Sequence, residues 1–162
     1  MRVELTHVDE KNNPKMVDVT HKEITHRLAE ASCLIDVDPL IMEKLHEGEI
    51  QTKKGPVFHT AIIAGTMAVK KTSELIPFCH PLSIEGCDLD IKAEKTTNQI
   101  HITCKVKISG KTGVEMEALT GATVAALTIY DMCKAITHKM TIRETKLMEK
   151  RGGKRTVRKE KQ

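Results

Sequence analysis

Residues 82–108, LSIEGCDLDIKAEKTTNQIHITCKVKI, hold the pattern that decides the fold. Leu82 and Ile84, then Leu89, Ile91 and Ala93, stand two apart, as do Ile100, Ile102, Cys104, Val106 and Ile108. That is the period of a strand buried on one face. Thr96, Thr97 and Asn98 between the two runs are turn formers, so the runs read as an antiparallel pair. The alternation changes phase across Gly86-Cys87, where a glycine predicts a β-bulge.

Working outward, the loop SGKTG (109–113) leads into a long Ala-rich segment, residues 114–138, with helical periodicity. At about 100° per residue, Leu119, Ala122, Ala126, Ile129, Cys133 and Ile136 fall on one stripe, the core face. The opposite face carries Val124 and Leu127 beside Thr120, Asp131, Lys134 and His138, which predicts that the helix is covered on both sides. Residues 140–148 read as a closing strand. Upstream, Thr20-x-x-Glu23 has capping-box spacing and predicts a helix of about a dozen residues. CLIDV (33–37) reads as a strand. Asp38-Pro39 then supplies an N-cap and N1 proline for a short helix ended by Gly48. A loop with Lys53, Lys54, Gly55 and Pro56 precedes an apolar helix over residues 57–71. This order predicts an α+β fold, an antiparallel sheet covered by helices on one side. A dinucleotide-binding βαβ unit lacks its glycine fingerprint here, and SGKTG lacks the upstream glycine of a phosphate loop.

The 162 residues fit one domain, with aromatics at only 2 % and a formal charge of +4. Seven of the 26 Lys/Arg but one of the 22 Asp/Glu lie in residues 150–162, so this tail carries +6 and the other 149 residues −2. The division read here is a body of residues 1–149 and a basic tail of 150–162. Scarce aromatics and an acidic body argue against nucleic acid as partner. The absence of a long apolar run argues against a membrane, and the N-terminus lacks a signal-peptide layout. Five irregularly spaced cysteines fit free thiols in a reducing compartment, so the protein reads as cytoplasmic.

Cys79 and His80 lie between Pro77 and Pro81. The spacings around them do not match a zinc site. Neighbours on extended backbone point apart, which disfavours a Cys-His nucleophile. Two accounts stand: a stiff binding wall presenting an imidazole, or a proline-bounded connection with a buried thiol. Asp131 and Lys134, three apart, are either a solvated ion pair or a covered acid-base pair. Glu115 and Glu117 either complement the helix dipole or orient a basic heterocycle.

Three stretches carry a wider likeness: KMVDVT (15–20), KKGPVFHTAIIAGTMAVKKTSELIPFCHPL (53–82) and GKTGVEMEALTGATVAALTIYDMCKA (110–135). Through them the chain closely resembles the cyclic pyranopterin monophosphate synthase (MoaC) family of molybdenum cofactor biosynthesis. The resemblance implies a ferredoxin-like antiparallel sheet with helices on one face. It implies a lyase taking a cyclised GTP intermediate to cyclic pyranopterin monophosphate with loss of pyrophosphate, needing no redox cofactor; the residues offer no protein metal site. It also implies a homohexamer, a trimer of dimers with active sites between subunits. Position by position, Asp131, Lys134 and Lys54 match catalytic residues of that family. Phe78, Cys79, His80, Glu115, Met116 and Glu117 match substrate contacts, Lys150 a lysine of a mobile C-terminal segment, and Arg27 a basic residue near the triphosphate. The tail departs from the family's usual KSGGKSG by reading KRGGKRT.

Overall fold

The computed structural model describes residues 8–159. Ala29, Ala31, Cys33, Ile35 and Val37 are buried at every second position, and their segment forms a long strand, β1 (Thr25–Val37). After it come α1 (Pro39–Met42), β2 (Leu45–His46), β3 (Glu49–Thr52) and β4 (Gly55–Pro56). Next are α2 (Val57–Lys70), α3 (Thr72–Leu75), β5 (Gly86–Glu94) and β6 (Gln99–Gly110). The chain continues through α4 (Glu115–Cys133), β7 (Met140–Arg151) and β8 (Val157–Arg158).

The main sheet has the order β5-β6-β1-β7-β8, and each neighbouring pair is antiparallel. With α2 between β1 and β5 and α4 between β6 and β7, the connectivity is β-α-β-β-α-β, the ferredoxin-like arrangement. The buried residues of β1 face Val106, Cys104, Ile102 and Ile100 of β6 across the ladder, and α4 packs on β1, β6 and β7 above them. Among the described residues no helix is long and apolar enough to cross a membrane. All five cysteines are free thiols.

The helix expected after Thr20 is absent. The Thr20 amide and hydroxyl both turn back to Asp18 Oδ1, at 2.8 and 2.6 Å, so the capping-box residue closes a local turn. The strand then starts at Thr25, eight residues before the expected Cys33, because two partners claim the segment. β6 on one side and β7 on the other outweigh the helical propensity of Leu28, Ala29 and Glu30. The expected bulge at Gly86-Cys87 is also absent. β5 begins at Gly86 and pairs in unbroken register from Gly86↔Lys107 to Glu94↔Gln99, so the phase slip marks the strand's start. The register shifts lie instead between β1 and β7, at Glu30/Ala31 and Ser32/Leu34.

Asp38 Oδ1 accepts from Leu40 N at 3.0 Å, capping α1 with Pro39 at N1. The helix stops after one turn, well before Gly48. Glu47 and Gly48, with φ of 50° and 81°, form the turn between β2 and β3. The 149/150 boundary falls inside β7, and β8 returns residues 157–158 to the same sheet. Residues 160–162 lie outside the described residues.

On α4, Ala122, Ala126, Ile129 and Cys133 are fully buried, and Leu119 and Ile136 pack against them. α2 lies along the helix closely. A Cβ on Gly65 would stand 2.8 Å from the Gly121 carbonyl oxygen, and one on Gly121 would stand 2.6 Å from Val69 Cγ2. Gly65→Ala gains about 1 kcal/mol in helix propensity but overpacks against a backbone carbonyl that cannot rotate away, at about 1–3 kcal/mol. The variant is expected to be less stable, with a lower urea midpoint and an unchanged slope; an equal or higher midpoint would refute the close contact.

Candidate functional site

The C-terminal end of α4 carries the first cluster. Asp131, on the last turn, takes Lys134 Nζ on Oδ1 at 2.8 Å and Lys54 Nζ on Oδ2 at 2.8 Å. Lys54 Nζ also donates to the Asp131 carbonyl at 3.2 Å. Lys54 occupies the turn between β3 and β4, so a β-hairpin delivers it to the helix. Two ammonium groups around one carboxylate hold Asp131 below the ordinary 3.8, at about 2, with Lys134 the larger influence. Asp131 in turn raises Lys134. All three side chains are about half exposed. The cover expected over this side is partial within one chain: Val124 is half-buried, but Leu127 remains 53 % exposed.

The N-terminal end of α4 carries the second cluster, around a cavity of about 490 Å³. Phe78, Cys79 and His80 form one wall, and Glu115, Met116 and Glu117 another. The proline-bounded peptide is anchored by His80, whose Nε2 donates to the Val17 carbonyl at 2.7 Å. That bond assigns the neutral ring's proton to Nε2 and leaves Nδ1 as an acceptor. Burial, followed by the Glu117 charge, raises the Cys79 thiol, which keeps it protonated and argues against a thiolate nucleophile. Glu117 is 4 % exposed, and burial pushes its carboxyl up, with Glu115 adding to the shift. Lys150 pairs with Glu115 from β7.

Arg27 stands behind this cavity. Its Nε donates to Gly110 O at 2.9 Å and its Nη2 to Lys111 O at 3.1 Å, fixing the loop that delivers Thr112 and Gly113 to the lining. Gly152 and Gly153, with φ of 84° and 73°, let the tail turn against Arg27 where a side chain would collide. Lys154 thereby reaches the cavity, as do Val17, Val19 and Lys22 from the segment before β1. Lys22 and Thr112 have no regular spacing to mark them as site residues; their only signal is position, Lys22 two residues beyond KMVDVT and Thr112 within GKTG. Among the described residues no three His, Cys, Asp or Glu side chains gather as a cation cluster.

The two clusters do not meet within one chain. Glu117 and Asp131 are fourteen residues apart on the same helix, or about 20 Å at 1.5 Å per residue. The MoaC family model matches residues 16–153, a span that takes in Lys54, Asp131, Lys134 and every residue lining the cavity except Lys154. The chain belongs to the MoaC family. A cyclic pyranopterin monophosphate synthase from Xanthomonas campestris pv. campestris is 51 % identical over 153 residues, covering 94 % of this chain and 92 % of that protein. The protein of the same name from Xanthomonas axonopodis pv. citri is 51 % identical over 155 residues, with the same coverage. A molybdenum cofactor biosynthesis bifunctional protein from Synechocystis is 53 % identical over 155 residues, and this chain spans 45 % of its length.

For a MoaC-family site, the charge state of Asp131 is the property most open to direct measurement. Its carboxyl is expected to titrate near 2 by NMR. Lys134→Ala should move the midpoint up toward 3.8, and Lys54→Ala should move it less. An unchanged midpoint in both variants would show that the lysines do not set it.

Proposed function

We infer that this chain converts 3′,8-cyclo-7,8-dihydroguanosine 5′-triphosphate to cyclic pyranopterin monophosphate and pyrophosphate, within molybdenum cofactor biosynthesis. The observation that carries the reading is the pair of clusters at opposite ends of α4. One is a carboxylate held by two lysines, and the other an acid-lined cavity closed by the PFCHP wall and the basic tail. Five free thiols fit a reducing, cytoplasmic setting.

The chemistry follows from the charges. Cyclic phosphate formation requires a hydroxyl of the substrate to attack the α-phosphorus. The hydroxyl proton passes to a base, the bond to the β-phosphate's bridging oxygen breaks, and pyrophosphate leaves. Lys54, Lys134 and Lys150 neutralise the charge that develops on the phosphates. At about 2, Asp131 is a poor base in the resting chain. A triphosphate competes for Lys54 and Lys134, removes the contacts that hold the carboxyl low, and lets Asp131 rise into a range where it exchanges protons. Glu115 and Glu117 accept from the donor-rich edge of the purine-derived ring, with Met116 and Phe78 against its faces. With Nε2 held by Val17 O, His80 accepts from a sugar hydroxyl through Nδ1 when neutral and donates to a phosphate when protonated, Cys79 lines the pocket, and Arg27 acts behind it through the loop at 110–113.

One active site then draws its two halves from two copies of the chain. A two-fold axis crossing α4 would lay the helix head-to-tail on its copy, setting each Asp131 end against the partner's Glu117 end. Ile63 and Met67 of α2 and Leu127 of α4, each more than half exposed, supply apolar surface for that contact. A trimer of such dimers gives the hexamer that the family resemblance implies.

The purified protein, supplied with the cyclised triphosphate, is expected to release pyrophosphate and form the pterin together; no product would refute the reading. Asp131→Asn and Glu117→Gln should each abolish turnover. Unfolded and refolded together in equal amounts, they should recover roughly a quarter of it, because half the dimers are mixed and each has one intact site. No recovery would place the whole site in one chain. Cys79→Ser should lose less activity than His80→Ala, and the reverse order would restore the thiol to the chemistry.

A further inference from the structure

The start of α2 poses a problem that its own residues do not solve. Its N-cap is Pro56, whose side chain accepts no hydrogen bond, so the first-turn amides of Phe58 and His59 need acceptors from elsewhere. Glu49, on the far strand of the preceding hairpin, supplies them. Its Oε1 accepts from Phe58 N at 2.7 Å and from Ile50 N at 2.8 Å. Its Oε2 accepts from His59 N at 3.1 Å and lies 2.6 Å from His59 Nδ1. The carboxylate is 12 % exposed, whereas the His59 ring is 78 % exposed. A negative charge here also complements the helix dipole. The cap is therefore tertiary: it joins the β3–β4 hairpin to the helix.

That hairpin carries Lys54. Thr52 Oγ1 donates to Gly55 O at 3.1 Å and accepts from Lys54 N at 3.2 Å, so the turn is braced internally. Gln51↔Pro56 and Thr52↔Gly55 pairing extends the brace to Pro56, the N-cap of α2. From this mount Lys54 Nζ spans to Asp131 on α4. The Asp131 cluster is thus built from two elements, α4 and a short hairpin. The hairpin's two strands, of four and two residues, have little hold of their own.

We propose that Glu49 is a positioning residue, the clamp that fixes the Lys54 hairpin on the N-terminus of α2 and so sets where the Lys54 ammonium stands relative to Asp131. Glu49 touches no reacting group in this scheme and acts through the backbone that carries Lys54. The inference rests on the reading above that Lys54 serves the reaction. Glu49→Gln keeps the size but replaces one acceptor oxygen with an NH₂ group, so a helix amide loses its partner.

In the full-length oligomer, turnover of the cyclised triphosphate should be compared for wild type, Glu49→Gln, Lys54→Ala and the double variant. Glu49→Gln is expected to lower kcat about tenfold with KM within about twofold, the cost of misplacing one group. The double variant should be no slower than Lys54→Ala alone. Losses that multiply, or wild-type turnover in Glu49→Gln, would overturn the proposal. Amide hydrogen exchange in the resting protein decides it without turnover: residues 51–59 should exchange faster in Glu49→Gln while β5 and β6 do not. Unchanged exchange there would overturn it, whereas full activity of Lys54→Ala would overturn the catalytic reading of Lys54. If Glu49→Gln does not fold, His59→Ala removes only an exposed ring beside the clamp. It should speed the same amides by a smaller factor, and no change would again overturn the inference.

Discussion

Where α2 and α4 run together, Gly65 and Gly121 bring backbone against backbone, with no room for a methyl group on either. That contact fixes the depth of the helical layer over the sheet. Because α2 lies so near, Cys104 and Val106 of β6 and the alanines of α4 fill the space beneath without large side chains. A chain with scarcely any aromatics can close its core only at such short distances. The same contact makes α4 a rigid spacer with a cluster of charged side chains at each end. Its length then decides that the clusters stay apart in one chain.

The sheet was legible where one face alone is buried. Ile100 to Ile108 alternate without interruption, and β6 runs through all of them. β1 was not legible over its first half, because Leu28, Ala29 and Glu30 have helical propensity. Its strand identity comes from Val106 and Lys150, which flank Ala29 on either side of the ladder. Pairing across some eighty and one hundred and twenty residues leaves no local trace. The phase slip at Gly86 was real but meant the beginning of a strand, since a bulge and a boundary interrupt alternation alike.

The site was legible in its parts. Asp131 and Lys134 three apart on a helix had to be neighbours, and they are. The stiffness of PFCHP could be read from its prolines, but its anchor could not, because His80 bonds to the carbonyl of Val17, an atom with no sequence identity of its own. Arg27 shows the same limit: a guanidinium near phosphate-binding residues invites a ligand role, yet its donors go to the Gly110 and Lys111 carbonyls. Main-chain partners of side chains are what sequence patterns conceal most completely.

The order of the sheet has a bearing on how the chain is made. β1 sits second from one side of the four long strands, between β6 and β7, and its register reaches from Leu28 to Arg151. During synthesis β1 therefore emerges before both of its neighbours, β6 and β7, and waits for each in turn. Until then its edge is open, and a nascent chain stalled before residue 140 presents an apolar strand with one unpaired side. Contacts of such separation also make for slow closure. The cavity inherits the delay, since Val17 and Lys154, which share its lining, lie 137 residues apart in the sequence.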